Sequence, residues 1–174
     1  GCSGILGKTM YFTEYDSPIG TLLLTCREDA LTGLWMNRLP PEDGCRSEDH
    51  PIFLEAKQWL DSYFRGENPP VTLPLTPEGT PFRQQVWRLL QEIPYGESRS
   101  YGDLARQMAA ILGKETMSAQ AIGQAVGSNP ISIFIPCHRV VGARGQLTGY
   151  AGGIHNKIWL LRHEGQQGII GLEE

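Results

Sequence analysis

A cysteine followed directly by a histidine, Cys137-His138, stands in the run Ile131-Ser-Ile-Phe-Ile-Pro-Cys-His-Arg-Val-Val-Gly142, and a glutamate, Glu164, lies nearer the C-terminus. A thiol attacks as its thiolate, and an unperturbed cysteine is mostly protonated at neutral pH. An imidazole can take that proton directly or through a water, and a carboxylate can hold the imidazole in the tautomer required. By residue type, Cys137, His138 and Glu164 suit the roles of nucleophile, base and orienter. Each also has a plain reading: a small buried hydrophobe, a structural or solvated histidine, and a surface charge at a helix end. Adjacency in sequence does not decide between them, because neighbouring side chains often point apart.

The elements that must position these groups can be read around them. The apolar, β-branched run from Ile131 predicts a buried strand, and Pro136 and Gly142 punctuate it, so the thiol is presented where the chain bends. Upstream, Thr80-Pro81 caps a helix whose Phe82, Val86, Leu89, Leu90 and Ile93 share a face, closed by Pro94-Tyr-Gly96. Ser100 and Asp103 have the spacing of a capping box for a second helix. Ser118 caps a third, Ala119 to Val126, stopped by Gly127 and Asn129-Pro130. Two short helices at this spacing suggest a helix-turn-helix. Ala119, Ala121, Gly123, Ala125 and Gly127 leave little bulk on the last of them, which fits either tight packing against a neighbour or close approach to a surface such as the minor groove, about 6 Å wide. Thr148-Gly-Tyr-Ala-Gly-Gly153 is a glycine-rich loop, a turn or a backbone able to approach a flat ligand. Asn156 to His163 reads as a helix, and Gln166 onward as a loose tail.

The first half has a different pattern. Met10 to Tyr15, Thr21 to Thr25 and Leu31 to Met36 read as short strands separated by turns at Ser17-Pro-Ile-Gly20 and Glu28-Asp29. Pro40 to His50 reads as a loop, and Pro51 to Phe64 as an amphipathic helix ended by Arg65-Gly66. A small antiparallel sheet with a covering helix is the simplest assembly. Five prolines between Asn68 and Pro81 suggest a linker with a short extended segment at Val71 to Leu75. The expected organisation is a leader over Gly1 to Thr9, an N-terminal domain over 10–67, a linker over 68–79 and a C-terminal domain over 80–174.

The net charge of −4 is unevenly spread: residues 1–78 carry 6 basic and 12 acidic residues, and residues 79–174 carry 9 and 7. The basic excess sits in the half with the Cys-His pair, which is compatible with phosphate contact. The four cysteines form no C-x-x-C pair, which predicts neither a disulfide framework nor a metal site and places the chain in the reducing cytoplasm. No metal and no cofactor are expected.

The block Ile135-Pro-Cys-His-Arg-Val140 resembles the active-site signature of the O6-alkylguanine-DNA alkyltransferases of bacterial type, the suicide DNA-repair methyltransferases. The resemblance spans Met10 to Gly165, weakly in the first half and closely from Thr80 onward. It implies an α+β fold with a ribonuclease H-like N-terminal part and a mainly helical, winged-helix or helix-turn-helix-like C-terminal part carrying the active site. It also implies that Cys137 accepts an alkyl group from O6 of guanine, with His138 as base through a bridging water and Glu164 as orienter. Tyr101 matches the proton donor to the departing guanine, and Asn129 the brace of the active-site turn. Tyr150 and Ala151 match the loop that walls the base pocket, the Val140 carbonyl would read the guanine amino group, and Val126 would face the flipped base. Ala119, Ala121 and Ala125, with Gln120 and Arg139, match DNA-binding positions. Family members commonly place an arginine where this chain has Gln120; glutamine can hydrogen-bond the orphaned base but carries no charge.

The implied partner is double-stranded DNA bearing alkylated bases, held by its minor groove and bound by a monomer without any membrane association. Extrusion of the base follows from geometry, since O6 lies inside the stacked duplex. One repair event would consume one protein, because an alkyl thioether, unlike a thioester, is not hydrolysed. Three other classes compete. A non-catalytic sensor of alkylated DNA would carry tryptophan in place of Cys137, a helix-turn-helix regulator would carry a further domain, and a Cys-His hydrolase would need an oxyanion hole.

Overall fold

The structure, a computed structural model, describes residues 9–172; the expected leader lies outside the described residues except for Thr9. The chain divides into two compact units, Gly1–Glu78 and Gly79–Glu174.

In the first unit, β1 (Met10–Ser17), β2 (Gly20–Arg27) and β3 (Ala30–Met36) form an antiparallel meander, each strand slightly longer than its apolar pattern predicted. Central β2 is buried from Leu22 to Cys26, which is why its sequence runs apolar instead of alternating. The stretch from Pro40 to His50 is not all loop: the two-residue β4 (Cys45–Arg46) pairs parallel to β1, giving the order β3-β2-β1-β4. The sheet is therefore mixed and not purely antiparallel; two residues carry no periodicity from which a strand could be read. Helix α1 (Pro51–Phe64) covers it through Ile52, Phe53, Ala56, Leu60 and Tyr63, side chains that contribute about 1.5–3 kcal/mol each when fully buried. The proline-rich stretch is fastened to this unit, with Leu31 N–H donating to Pro74 O and Thr76 N–H to Leu31 O, both at 2.9 Å. Pro74 suits this edge because its carbonyl accepts there and the N–H it lacks is not called on. Cys45 is disulfide-bonded, against the expectation of four reduced thiols. Pairing requires Cα atoms within about 7 Å, which spacing along the chain does not report.

In the second unit, α2 (Pro81–Gln91) starts at the Thr80 cap, whose hydroxyl accepts from Arg83 N–H at 3.2 Å. Helix α3 (Tyr101–Leu112) opens on the full Ser100–Asp103 capping box and ends on Gly113. Helix α4 (Ala119–Gly127) opens on Ser118. These three helices pack on one another, and the fully buried Trp87 of α2 donates its indole N–H to Ala125 O of α4 at 2.9 Å. Short strands β5 (Arg99–Ser100) and β6 (Val140–Val141) pair in parallel, and α5 (Ile154–His163) closes the unit.

Two expectations fail here. The run is buried from Ile131 to Val141, yet it is no strand: it carries isolated bridges, Ser132 to Ile135 among them, then a 3-10 turn at Cys137–Arg139, and enters a paired strand only at Val140. A short apolar run looks alike whether it is a strand or a compact buried turn. From Gln166 to Leu172, where the described residues end, the chain is not a loose tail. Ile169 and Leu172 pack with Val141 and Leu161, and Ile170 N–H donates to Gly145 O at 2.8 Å. Gly145 has φ +78°, and a side chain there would strike the Gly168 carbonyl, so this return of the chain depends on glycine.

Candidate active site

The Cys137 turn is held by side chains as much as by backbone. Asn129 Nδ2 donates to Ile135 O at 2.8 Å, and Asn129 Oδ1 accepts from Ile131 N–H at 3.0 Å, so one amide ties both ends of the segment. Inside it, Ile133 has φ +72°, an outlying conformation for a β-branched residue that costs on the order of 1–3 kcal/mol. Ile131, Ile133, Phe134 and Ile135 are all buried, and that packing offsets the strain. The 3-10 turn then puts Cys137 at the cavity and His138 and Arg139 on Glu164.

His138 Nε2 meets Glu164 Oε2 at 2.6 Å, with both side chains fully buried. An ionised carboxylate only accepts, so Nε2 carries the ring proton and Nδ1 is left as the basic nitrogen. Nδ1 is buried and has no hydrogen-bond partner among the described residues. Burial pushes the imidazolium down from its ordinary range, against the pull of Glu164. Burial acts to raise Glu164, but His138 and Arg139 outweigh it and hold the carboxylate well below its usual range. Arg139 donates through Nε to Glu164 Oε1 at 2.8 Å, through Nη2 to Oε2 at 3.1 Å and through Nη1 to Ile93 O at 2.7 Å.

Cys137 is a free, buried thiol. It lines a cavity of about 350 Å³ together with Tyr101, Gly123, Val126, Asn129, Tyr150 and Ala151, at the small end of the range for ligand pockets. Burial pushes the thiol pKa up, while the polar groups of Asn129, Tyr150 and Ser132 and the charge of Lys157 pull it down. The Tyr150 hydroxyl is buried without a hydrogen bond of good geometry, and burial followed by the neighbouring Cys137 holds its pKa far up.

The expected residues divide into those the fold brings together and those it separates. Cys137, Tyr101, Asn129, Val126, Tyr150 and Ala151 share the cavity, and His138 and Glu164 meet behind it. The Val140 carbonyl accepts from Lys157 Nζ at 2.6 Å, which leaves its second lone pair for a ligand. On α4, Ala119 and Gln120 are exposed and Ala121 is half-buried, but Ala125 faces inward against Trp87. Arg139 is also buried, its guanidinium engaged by Glu164 and Ile93. Neither Ala125 nor Arg139 is placed to touch DNA through its side chain: helix periodicity turns one inward, and the Glu164 carboxylate draws in the other.

Two residues of this site were missed, Lys157 and Thr148. Lys157 is buried on α5, and burial lowers its pKa to about 8, with Cys137 opposing. Its Nζ also reaches Thr148 Oγ1 at 3.0 Å. The spacing of Lys157, Leu160, Leu161 and Glu164 is the signal that could have found it, because it puts both charges on the apolar face of one helix.

A free thiol on a braced turn, opening into a cavity beside a helix of small residues, defines a cysteine-centred protein of α+β fold. Residues 81–166 match the family described as 6-O-methylguanine DNA methyltransferase, DNA binding domain, and residues 10–77 match its ribonuclease-like domain. The chain is 40% identical over 163 residues to a methylated-DNA–protein-cysteine methyltransferase of Methanosarcina acetivorans, covering 90% of this chain and 99% of that one. It is 41% identical over 148 residues to the constitutive methylated-DNA–protein-cysteine methyltransferase of Bacillus subtilis, covering 82% and 87%. Among solved structures, the Mycobacterium tuberculosis O6-methylguanine methyltransferase aligns with a TM-score of 0.77 at 42% identity, over 90% of this chain and 93% of that one. The protein of that organism in complex with DNA aligns at 0.78 and 43%, over 88% and 92%. The chain belongs to the 6-O-methylguanine DNA methyltransferase family.

Proposed function

We propose that this chain repairs DNA by direct reversal, moving an alkyl group from O6 of guanine to Cys137 in one irreversible event; O4-alkylthymine is a second substrate to be tested. The observation that carries the reading is the cavity in which the free Cys137 thiol stands with Tyr101, Tyr150 and Ala151 beside α4. DNA lies along the exposed side of α4 by its minor groove, Gln120 fills the gap left by the base, and the base turns into the cavity at a cost of a few kcal/mol. Val126, Ala151 and Tyr150 wall it, and the free lone pair of Val140 O takes the guanine amino group.

The thiol proton passes through a water to His138 Nδ1, and Glu164 stabilises the imidazolium that forms. Sγ then bonds to the alkyl carbon as its bond to O6 breaks, and the electron pair of that bond stays on guanine. Tyr101 supplies the proton that guanine takes as it leaves. The protein acts as a monomer without a cofactor, in the cytoplasm.

The test is mass spectrometry after incubation with a duplex bearing O6-methylguanine. One methyl mass on the Cys137 peptide, in stoichiometric yield, is expected. A methyl on another residue, or none, overturns the reading. The Cys137→Ser variant should lose transfer and keep salt-sensitive DNA binding.

A further inference from the structure

Behind Tyr101 lies a chain of hydrogen bonds that the mechanism above leaves unused. Tyr101, the first residue of α3, lies with its Oη 3.1 Å from Thr148 Oγ1 in the glycine-rich loop. Lys157 Nζ of α5 lies 3.0 Å from the same Thr148 Oγ1, 2.6 Å from Val140 O and 3.4 Å from Gly149 O. An ammonium has three protons and accepts nothing, so these three oxygens use all of them. Thr148 Oγ1 is then an acceptor from Lys157, and its own proton is free for its remaining partner, Tyr101 Oη. With the bond in that direction, Tyr101 receives from Thr148 and its own O–H is left for the cavity it lines.

We propose that Thr148 is a positioning residue for departure of the base: fed by Lys157, its hydroxyl donates to Tyr101 Oη and sets Tyr101 to give up its proton. The inference rests on the reading of Tyr101 as proton donor and names what makes it one. As the C–O6 bond breaks and guanine takes the Tyr101 proton, negative charge develops on Oη. A donor already aimed there, polarised by a cation one bond further back, stabilises that charge without reorganising. The alkyl group ends on Cys137, the thiol proton on His138 and the Tyr101 proton on guanine, with no other reactant required. Lys157 retains its charge at neutral pH, since its pKa falls only to about 8. Gly142, just after β6, makes room for this contact: a Cβ there would come within 3.1 Å of Thr148 Cγ2.

A role in packing alone predicts something different, and a double-mutant cycle separates the two. Single-turnover transfer from duplex O6-methylguanine is measured for the parent, Thr148→Ser and Thr148→Val, each with Tyr101 and with Tyr101→Phe. In the Tyr101 background Thr148→Val should slow transfer about tenfold or more, the scale of one lost charge-polarised hydrogen bond. Thr148→Ser should stay within about twofold, because it keeps the hydroxyl, and duplex affinity should hold. In the Tyr101→Phe background Thr148→Val should change nothing further. Equal slowing in both backgrounds, or Ser as slow as Val, overturns the proposal. Failure of the parent protein itself to take up the alkyl group overturns the reading of the site on which the proposal rests.

Discussion

Glu164 is shared between two consecutive residues of one turn: its Oε2 takes His138 Nε2 at 2.6 Å and its Oε1 takes Arg139 Nε at 2.8 Å. The carboxylate that orients the imidazole is therefore also the counter-charge of a buried guanidinium. Replacing it with the neutral isostere, Glu164→Gln, leaves Arg139 buried without an anion. Removing one partner of such a pair costs about 3–5 kcal/mol, so the variant should lose stability as well as transfer. Urea denaturation checks this; an unchanged midpoint would show that Arg139 does not depend on the pair.

Acid should weaken the fold in two stages. His138 and Glu164 both have folded-state pKa values below their ordinary 6.5 and 4.5. In each case the unfolded chain binds the proton more readily, so their contribution is complete above the unfolded value and is lost as pH falls below it. Loss begins below about 6.5 through His138 and continues below about 4.5 through Glu164. Denaturation midpoints measured from about pH 8 to 5 should decline for the parent and flatten for His138→Gln. Parallel declines in the two proteins would place the titration elsewhere.

Asn129 should matter to stability before it matters to chemistry. Asn129→Ala removes both side-chain bonds of the turn: Ile135 O still accepts from Cys137 N–H at 2.8 Å, but Ile131 N–H loses its acceptor inside the fold. A buried group left in this way costs about 1–3 kcal/mol, so a loss of that size is expected together with slower transfer. A drop in transfer with full stability would assign Asn129 to the chemistry alone.

Gln120 stands exposed near the start of α4, and in the proposed function it supports base extrusion by hydrogen bonding without charge. Gln120→Arg should tighten duplex binding, steepen its salt dependence by close to one counterion and speed transfer from duplex more than from single-stranded substrate. Identical duplex and single-strand responses would remove Gln120 from the gap-filling role.

What could be read from the sequence was local. The caps at Thr80, Ser100 and Ser118 mark helix starts because each needs only a side chain within three residues of the N–H it serves. The Cys137 turn escaped because its conformation is set by Ile133 at positive φ and by Asn129 reaching across it, and neither changes an apolar pattern. Arg139 was expected at a DNA-binding position from the family resemblance, and its partner Glu164, far from it in sequence, could not be seen there. Ile169 and Leu172 belong to a core assembled from Val141 and Leu161, so their burial could not be seen in a short segment taken alone. Lys157 is the exception: its helical spacing was legible, but a lysine on an apolar face reads by default as a side chain that reaches out to water.

The Cys137–Arg139 turn also sets an indexing rule for this part of the chain. At three residues per turn, successive side chains of a 3-10 helix leave the axis about 120° apart, so Cys137 takes the cavity, His138 one oxygen of Glu164, and Arg139 the rest of that carboxylate with the Ile93 carbonyl. Inserting or deleting a single residue between Asn129 and Val140 would rotate all three assignments at once, and no neighbouring substitution could restore them. Between these two points sequence length is itself part of the active site, whereas exposed tips such as Ala143-Arg144 can absorb an extra residue as ordinary surface loops do.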